Sequence, residues 1–302
     1  MKLKYMIPIA SLGGVFLLAS CKESSSTGSG SGESAAPVDP ATVGHVLYSE
    51  TLLLPVGTVE TKTDTMNLKD AVLKMSMQGQ EINGTMNRHG ESVKVRTIDS
   101  DTQITVEIQK DQAGGSMEMN GQPVPQADQT EPLHGQTVVL TKTGDAWAGK
   151  LKEGTATPEQ TKAIEKTARN MGEPDAKYIF GDTPRKVGDS WDVDPTHLSS
   201  FGGGMDKLTG TFKVTFESIA KHAGLDCAVI VAEIDLKGKT DEGMDMQMIG
   251  KVTTLQSIKY CVAITFKMEG KMIMDGAIQG GAGTMHMEGP MKMEGESVIK
   301  LP

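Results

Sequence analysis

Apolar and polar residues alternate with a period of two along much of the chain after residue 40. The alternation is most regular over residues 211–217 and 262–274, where apolar side chains occupy every second position except at Gly270. This period is typical of antiparallel strands that bury one face and expose the other. Residues 225–236 are more continuously apolar, which predicts a central strand covered on both faces.

The first half of the chain shows a similar but less regular pattern. Its segments rich in β-branched residues are residues 61–77, 92–98, 103–108 and 137–151. Between them stand the turn signals Asn83-Gly84, His89-Gly90 and Thr143-Gly144. Because most of these connections are short, neighbouring strands are expected to pair as hairpins.

One segment, residues 157–172, has a helical pattern instead. Thr157 suits an N-cap, Pro158 suits the first helical position, and Gln160 completes a capping box. Apolar residues then recur at helical spacing as far as Gly172, which favours the end of a helix.

The predicted fold class follows from these elements. It is mainly β, either one large curved antiparallel sheet resembling half a barrel or two related β halves, with one central α-helix. The possible halves are residues 41–156 and 173–302, joined by the helix over residues 157–172.

Methionine is concentrated in three of the predicted strands, and within each strand the methionines keep one parity. They are Met244, Met246, Met248, Met268, Met272, Met274, Met285, Met287, Met291 and Met293. Each set therefore lies on one face of its strand, while charged residues such as Lys271 and Glu288 lie on the other face.

Three interpretations of this methionine face remain open, besides the scavenging of oxidants by exposed methionines. The thioethers can fill a core with flexible, unbranched side chains. The same flexibility lets a concave face receive a hydrophobic ligand of variable shape. Thioethers also select copper(I). Residues two apart on a strand lie about 7 Å from each other, too far to share one ion, so such a site would need a loop or methionines on neighbouring strands.

The N-terminus has the pattern of an export signal. Lys2 and Lys4 precede an apolar run over residues 6–18, which is too short to span a bilayer comfortably. The following Leu18-Ala19-Ser20-Cys21 resembles the lipobox of bacterial lipoproteins. The alternative is an ordinary signal peptide with a cysteine near its cleavage site.

The lipobox resemblance implies that residues 1–20 are removed and that Cys21 carries the lipid anchor. Lys22, standing where an aspartate often signals inner-membrane retention, favours the outer membrane. Residues 21–40 are rich in serine and glycine and predict a flexible tether.

Composition limits the possible partners. The net charge is −9, and removal of Lys2 and Lys4 leaves 28 basic against 39 acidic residues, or about −11. This balance argues against nucleic acid and against adhesion to anionic headgroups. Nothing in the sequence identifies a protein partner.

The sequence contains no recognisable catalytic or metal-binding motif. The six histidines are scattered, and neither a nucleophile elbow, a phosphate-binding loop nor a zinc motif occurs. We therefore expect a protein that is not an enzyme and has no cofactor.

Cys227 and Cys261 are the remaining cysteines, and both lie in predicted strands. In an exported domain an even pair predicts a disulfide, although two reduced, buried thiols are a second alternative. The segment Val187-Gly188-Asp189-Ser190-Trp191 resembles one found in several uncharacterised exported bacterial β-domains. Trp191 is interpreted as a structural anchor.

In outline, a strand-rich chain with one helix is similar to lipoprotein carriers of the LolA and LppX kind, which are curved antiparallel sheets with a helical lid. The sequence therefore predicts a lipid-anchored binding or carrier module of the cell envelope, whose methionine face receives a hydrophobic ligand. The alternative is a structural or interaction lipoprotein with a filled core.

Overall fold

The computed structural model describes residues 40–51, 53–77, 79–172, 174–198, 205–240, 243–278 and 283–302. The predicted signal peptide, the lipidation site at Cys21 and almost all of the predicted tether lie outside the described residues. No helix in the described part of the chain is long and apolar enough to cross a membrane.

Strands make up most of the described chain. The elements are β1 Val59–Met77, β2 Gln80–Ser100, β3 Gln103–Met119, β4 Gln122–Val124, β5 Gln129–Thr130, β6 Thr137–Thr143, β7 Ala146–Leu151, α1 Pro158–Gly172, α2 Asp175–Phe180, β8 Ser190–Asp192, β9 Asp206–His222, β10 Leu225–Lys239, β11 Asp245–Ser257, β12 Ala263–Ala277 and β13 Gly283–Lys300. All of these strands pair antiparallel in one open sheet.

The strand order joins both halves of the chain. It runs β7-β6-β3-β2-β1-β13-β12-β11-β10-β9-β8, with β4 and β5 paired to β3. Because β1 pairs with β13, the first and last strands meet near the middle of the sheet. The prediction of a large antiparallel sheet is confirmed, and the two predicted halves form its two flanks.

The predicted central helix is confirmed as α1, together with its capping box. The Gln160 backbone N–H donates to Thr157 Oγ1 at 3.2 Å, and the Thr157 N–H donates to Gln160 Oε1 at 3.0 Å. Ile164, Ala168 and Met171 are buried on the face that packs against β7 and its neighbours. The short helix α2 was not predicted.

Two of the predicted turns are wrong. Thr143-Gly144 does connect β6 to β7, but Asn83-Gly84 and His89-Gly90 lie inside the continuous strand β2. A Cβ at Gly84 would lie 2.1 Å from the Glu118 carbonyl oxygen of β3. Glycine is therefore required there for close backbone approach within the sheet rather than for a turn.

The two cysteines are reduced and buried, as in the second alternative. Cys227 belongs to β10, whereas Cys261 lies in the turn between β11 and β12, so its predicted strand position is wrong. The Gln256 amide holds this turn by donating to the Cys261 carbonyl at 2.7 Å. The thiols belong to different core clusters.

The inner face of the sheet is layered along the strand direction. At one end lies an apolar cluster dominated by methionine, here called the methionine cluster. At the other end a second cluster, the helix cluster, includes Ile98, Val106 and the buried face of α1. Between them, on β1, β2 and β3, the buried side chains are mostly charged.

Candidate functional site

The predicted methionines come together in the methionine cluster. Nine of the ten are buried, with exposures between 0 and 7 %, and Met293 is partly buried against them. Their parity predicted this placement, because each of the three segments forms a regular strand. On the opposite face, Lys271 forms an ion pair with Glu288.

The strand register aligns these thioethers in rows across the sheet. Met246 pairs with Met274, which pairs with Met287, which in turn pairs with Leu73 of β1. Side chains directly opposite on one face of a sheet have Cβ atoms about 5 Å apart. This row is therefore a continuous apolar contact that crosses four strands.

A bulge in β1 keeps its side chains in register with these rows. Met66 and Leu68 are buried before the bulge, and Ala71 and Leu73 are buried after it, so the buried parity changes. Asp70, within the bulge, has a φ of +48°. The extra residue turns both segments of the long strand toward the same core.

Segments from outside the sheet cover the methionine cluster. Leu47 and Tyr48 belong to it, as do Ile179 and Phe180 of α2. Gln256 Nε2 donates to the Leu47 carbonyl at 3.1 Å, and Trp191 Nε1 donates to the Ile179 carbonyl at 2.7 Å. The second bond agrees with the interpretation of Trp191 as an anchor.

Burial in this cover shifts the ionisation of one tyrosine. Desolvation, with the charge of Glu50 adding to it, raises the pKa of Tyr48 to about 12. The raised pKa widens the pH range over which the phenol is neutral, as expected for a side chain within an apolar cover.

The charged layer between the two clusters was not predicted. We call it the charged belt, and its buried or nearly buried members are Glu60, Lys62, Asp64, Ser92, Lys94, Arg96 and Asp111. Three ion pairs hold it together. Arg96 Nη2 lies 2.5 Å from Glu60 Oε2, Lys62 Nζ lies 3.4 Å from Asp64 Oδ1, and Lys94 Nζ lies 3.6 Å from Asp111 Oδ2.

Burial dominates the electrostatics of the belt. It raises the pKa of the Asp111 carboxyl, and the nearby Lys94 charge opposes this shift. Burial, together with the negative charge of Asp111, also raises the pKa of Glu131. For Arg96, burial lowers the pKa while Glu60 acts in the opposite direction.

Several buried polar atoms in this region have no hydrogen-bond partner among the described residues. They are Arg88 Nε, Ser92 Oγ, Arg96 Nε and Arg96 Nη1. Buried donors without partners are rare in proteins and are often satisfied by a bound water, ion or ligand. The inner face therefore offers polar groups beside an apolar cluster.

Two open grooves lie near the hairpin ends of the same strands. One, of about 700 Å³, is lined by Lys207, Lys237 and Asp245 among others, and a second, of about 530 Å³, by Lys74 and His286. Within the described ranges, no three His, Cys, Asp or Glu side chains lie close enough together to hold a metal ion. The copper(I) alternative, which rests on thioethers, stays a prediction.

The belt was missed although the sequence contained a signal for it. Met86 and Ile98 of β2 have the same parity as Arg88, Ser92, Lys94 and Arg96. The two apolar residues are buried, so the polar ones between them share the inner face. Following the parity between the apolar ends of the strand would have placed these charges inside.

Comparisons with known proteins identify no family. No protein-family model matches the chain, and no curated protein matches it. Among solved structures, the chain is similar to lipovitellin, in a structure of its lipid–protein interactions, with 9 % identity and a TM-score of 0.42. That match covers 82 % of this chain but only 26 % of the lipovitellin chain.

Two further structures of bacterial proteins with domains or families of unknown function are also similar. A β-barrel-like protein from Brucella abortus has 12 % identity and a TM-score of 0.23, over 82 % of this chain and 99 % of that chain. A protein from Desulfovibrio piger has 9 % identity and a TM-score of 0.17, over 79 % and 85 % of the two chains. Likeness at this level carries no functional argument.

Proposed function

We propose that this protein is a non-catalytic, lipid-anchored binding module of the cell envelope that carries a hydrophobic ligand on its methionine cluster. One observation carries the proposal: nine of the ten predicted methionines lie buried together on the inner face of a single sheet. Segments outside the sheet, including α2 and the chain around Leu47, contribute to the cover of this face.

Thioether side chains suit such a site. Methionine is unbranched and has three rotatable bonds, so it can fill the core without a ligand and rearrange around one. Movement of α2 together with Leu47 and Tyr48 would uncover an apolar face without breaking any pairing between strands of the sheet. Opening would therefore leave the sheet itself intact.

The proposed location rests on the N-terminal sequence. Cys21 would carry the acyl chains, and residues 21–40 would let the domain stand about 25 Å from the surface, as expected for a flexible segment of this length. Lys22 favours the periplasmic face of the outer membrane. Two or more acyl chains give stable attachment, whereas one chain does not.

A structural or interaction module with a filled core is the second candidate. The observation that favours it is the low exposure of the methionines, between 0 and 7 % for nine of the ten predicted ones, which is typical of a filled core. The two candidates differ in whether the cover opens and the core accepts a guest.

Native mass spectrometry and ligand uptake test the proposal together. The full chain, purified gently from its own envelope, should carry a non-covalently bound lipid at near-unit occupancy. The full chain with Cys21→Ser should also take up a fluorescent fatty acid. Met246→Lys should reduce this uptake, whereas Gln247→Lys, on the other face of the same strand, should not.

Met246→Leu keeps the position apolar and separates the effect of the lysine charge from the effect of changing the side chain, while a melting curve of Met246→Lys establishes that this variant is folded. The leucine variant should bind the fatty acid within a few-fold of the parent chain. A bare mass together with no uptake by the parent chain would refute the carrier and leave the filled-core module.

A further inference from the structure

Arg88 is a buried arginine at the boundary of the methionine cluster. It lies on the inner face of β2 and is only 3 % exposed. Its cross-strand neighbours are Leu68 of β1 and Gly115 of β3. The next inward position along β2 is Met86, which pairs across the sheet with Met117. Apolar residues therefore neighbour Arg88 both across and along the inner face.

No carboxylate compensates this charge among the described residues. The polar contact of Arg88 is a bond of 3.4 Å from Nη2 to Gln129 Oε1, which is long for a hydrogen bond, and Nε has no partner. Arg96, eight residues along the same face, instead has Glu60 at 2.5 Å. Burial lowers the pKa of Arg88, yet an arginine in a protein keeps its proton.

The surrounding backbone makes room for this side chain. A Cβ at Gly115 would lie 2.9 Å from Arg88 Cδ and 2.2 Å from the Asn87 carbonyl oxygen. The absence of a side chain at Gly115 lets the arginine stem cross β3 toward Gln129 of β5. The guanidinium group is thus held in a defined place, with donors unused.

We infer that the ligand of the methionine cluster is an anionic amphiphile, whose carboxylate or phosphate headgroup pairs with Arg88 while its hydrocarbon chain lies against Met86 and Met117. This inference rests on the proposed carrier function and names its ligand class. Planar guanidinium groups bind carboxylates and phosphates through paired hydrogen bonds. Such a headgroup would supply the missing counter-charge.

The net negative charge of the protein agrees with a buried recognition site. An acidic protein does not attract anionic headgroups to its surface. Selection for an anion would then come from the buried guanidinium, where a low local dielectric strengthens the interaction.

A pair of matched probes tests the inference. Cis-parinaric acid, a fluorescent fatty acid, and its methyl ester differ only in the charge of the headgroup. The full chain with Cys21→Ser should bind the acid about tenfold or more tightly than the ester, the factor that one charge-assisted hydrogen bond supplies. Arg88→Met should lower the affinity for the acid to that for the ester and leave the ester unchanged.

Two further variants control this comparison. Arg88→Lys keeps a positive charge and should retain part of the preference for the acid. Arg169→Met makes the same chemical change at an exposed position of α1 and should change neither affinity. Thermal unfolding of each variant establishes that it is folded before binding is measured.

The outcomes separate the inference from the function on which it rests. If neither probe binds, the carrier function fails, and the inference fails with it. If both probes bind equally and Arg88→Met changes neither affinity, the carrier stands and the headgroup inference is overturned. If inorganic phosphate alone raises the melting temperature through Arg88 while the probes bind equally, the site takes a free anion, which also overturns the inference.

Discussion

The buried ion pair between Glu60 and Arg96 offers a direct test of the charged belt. Glu60→Gln removes the negative charge but keeps the shape of the side chain. Arg96 is 2 % exposed, and its Nε and Nη1 atoms already lack partners in the described structure. The variant therefore leaves a buried guanidinium without a counter-ion, which is among the most costly single changes in a protein interior.

The expected magnitude follows from this geometry. Breaking a buried pair by removing one partner costs about 3–5 kcal/mol, because the remaining charge is desolvated without compensation. Replacing both partners by apolar side chains of similar volume is often neutral or stabilising by about 1–4 kcal/mol. Glu60→Leu with Arg96→Met should therefore recover most of the stability that Glu60→Gln loses.

Urea unfolding of the three chains measures these differences. The expected order of unfolding free energy places the double variant near the parent and Glu60→Gln well below both, with similar slopes against urea. Lys221, in an exposed ion pair with Asp226, supplies the control, since Asp226→Asn should cost less than about 1 kcal/mol. A loss below about 1 kcal/mol for Glu60→Gln would mean that water reaches the pair, contrary to the structure.

Three further predictions follow. Met287→Ala should lower the unfolding free energy by about 2–5 kcal/mol, whereas Met287→Leu should cost less than about 1.5 kcal/mol, because Met287 is fully buried. The raised pKa of Glu131 means that its contribution to stability is present at low pH and is lost as pH rises through the raised value. Glu131→Gln should therefore be more stable than the parent at pH 7, with no difference below about pH 4. Arg88→Met should raise the melting temperature of the ligand-free protein, because it removes an uncompensated buried charge; a lower melting temperature would show that the charge is compensated.

Local sequence signals predicted the elements that depend on local physics. The capping box at Thr157 and Gln160 predicted the start of α1, since both partners of the motif lie within one turn. The parity of the methionines predicted their common face, because β11, β12 and β13 pair without a shift in the registers that align these residues. A regular alternation in the sequence gives a single buried face when the strand pairs without a register shift.

Features that depend on contacts between distant strands were not predictable from local patterns. Gly84 and Gly90 have the composition of turn residues, but they are strand residues in a 21-residue strand. Glycine is needed at position 84 because the backbone of β3, more than thirty residues away in sequence, leaves no room for a side chain. The bulge at Asp70 likewise has no glycine or proline to mark it, although it reverses the buried parity of β1.

Alternation also identifies two faces of a strand without saying which one is buried. In β2, Val93 and Val95 lie on the less buried face, while Lys94 and Arg96 face inward. Hydrophobicity alone would place the two valines inward and the two charged residues outward. The apolar ends of the strand decide the orientation, because Met86 joins the methionine cluster and Ile98 joins the helix cluster.

The two buried arginines of β2 differ in whether the fold itself supplies a carboxylate for their charge. Arg96 has a carboxylate partner on the neighbouring strand, so its charge is compensated within the fold itself. Arg88 lies on the same inward face of the same strand and is as little exposed, but its side chain runs toward β5 and has no acidic partner among the described residues. An apolar side chain at position 88 would have joined Leu68 and Met86 at lower cost. This difference between the two sites is what the proposed anionic headgroup at Arg88 would explain, and the affinity of Arg88→Met for a charged and an uncharged probe tests it.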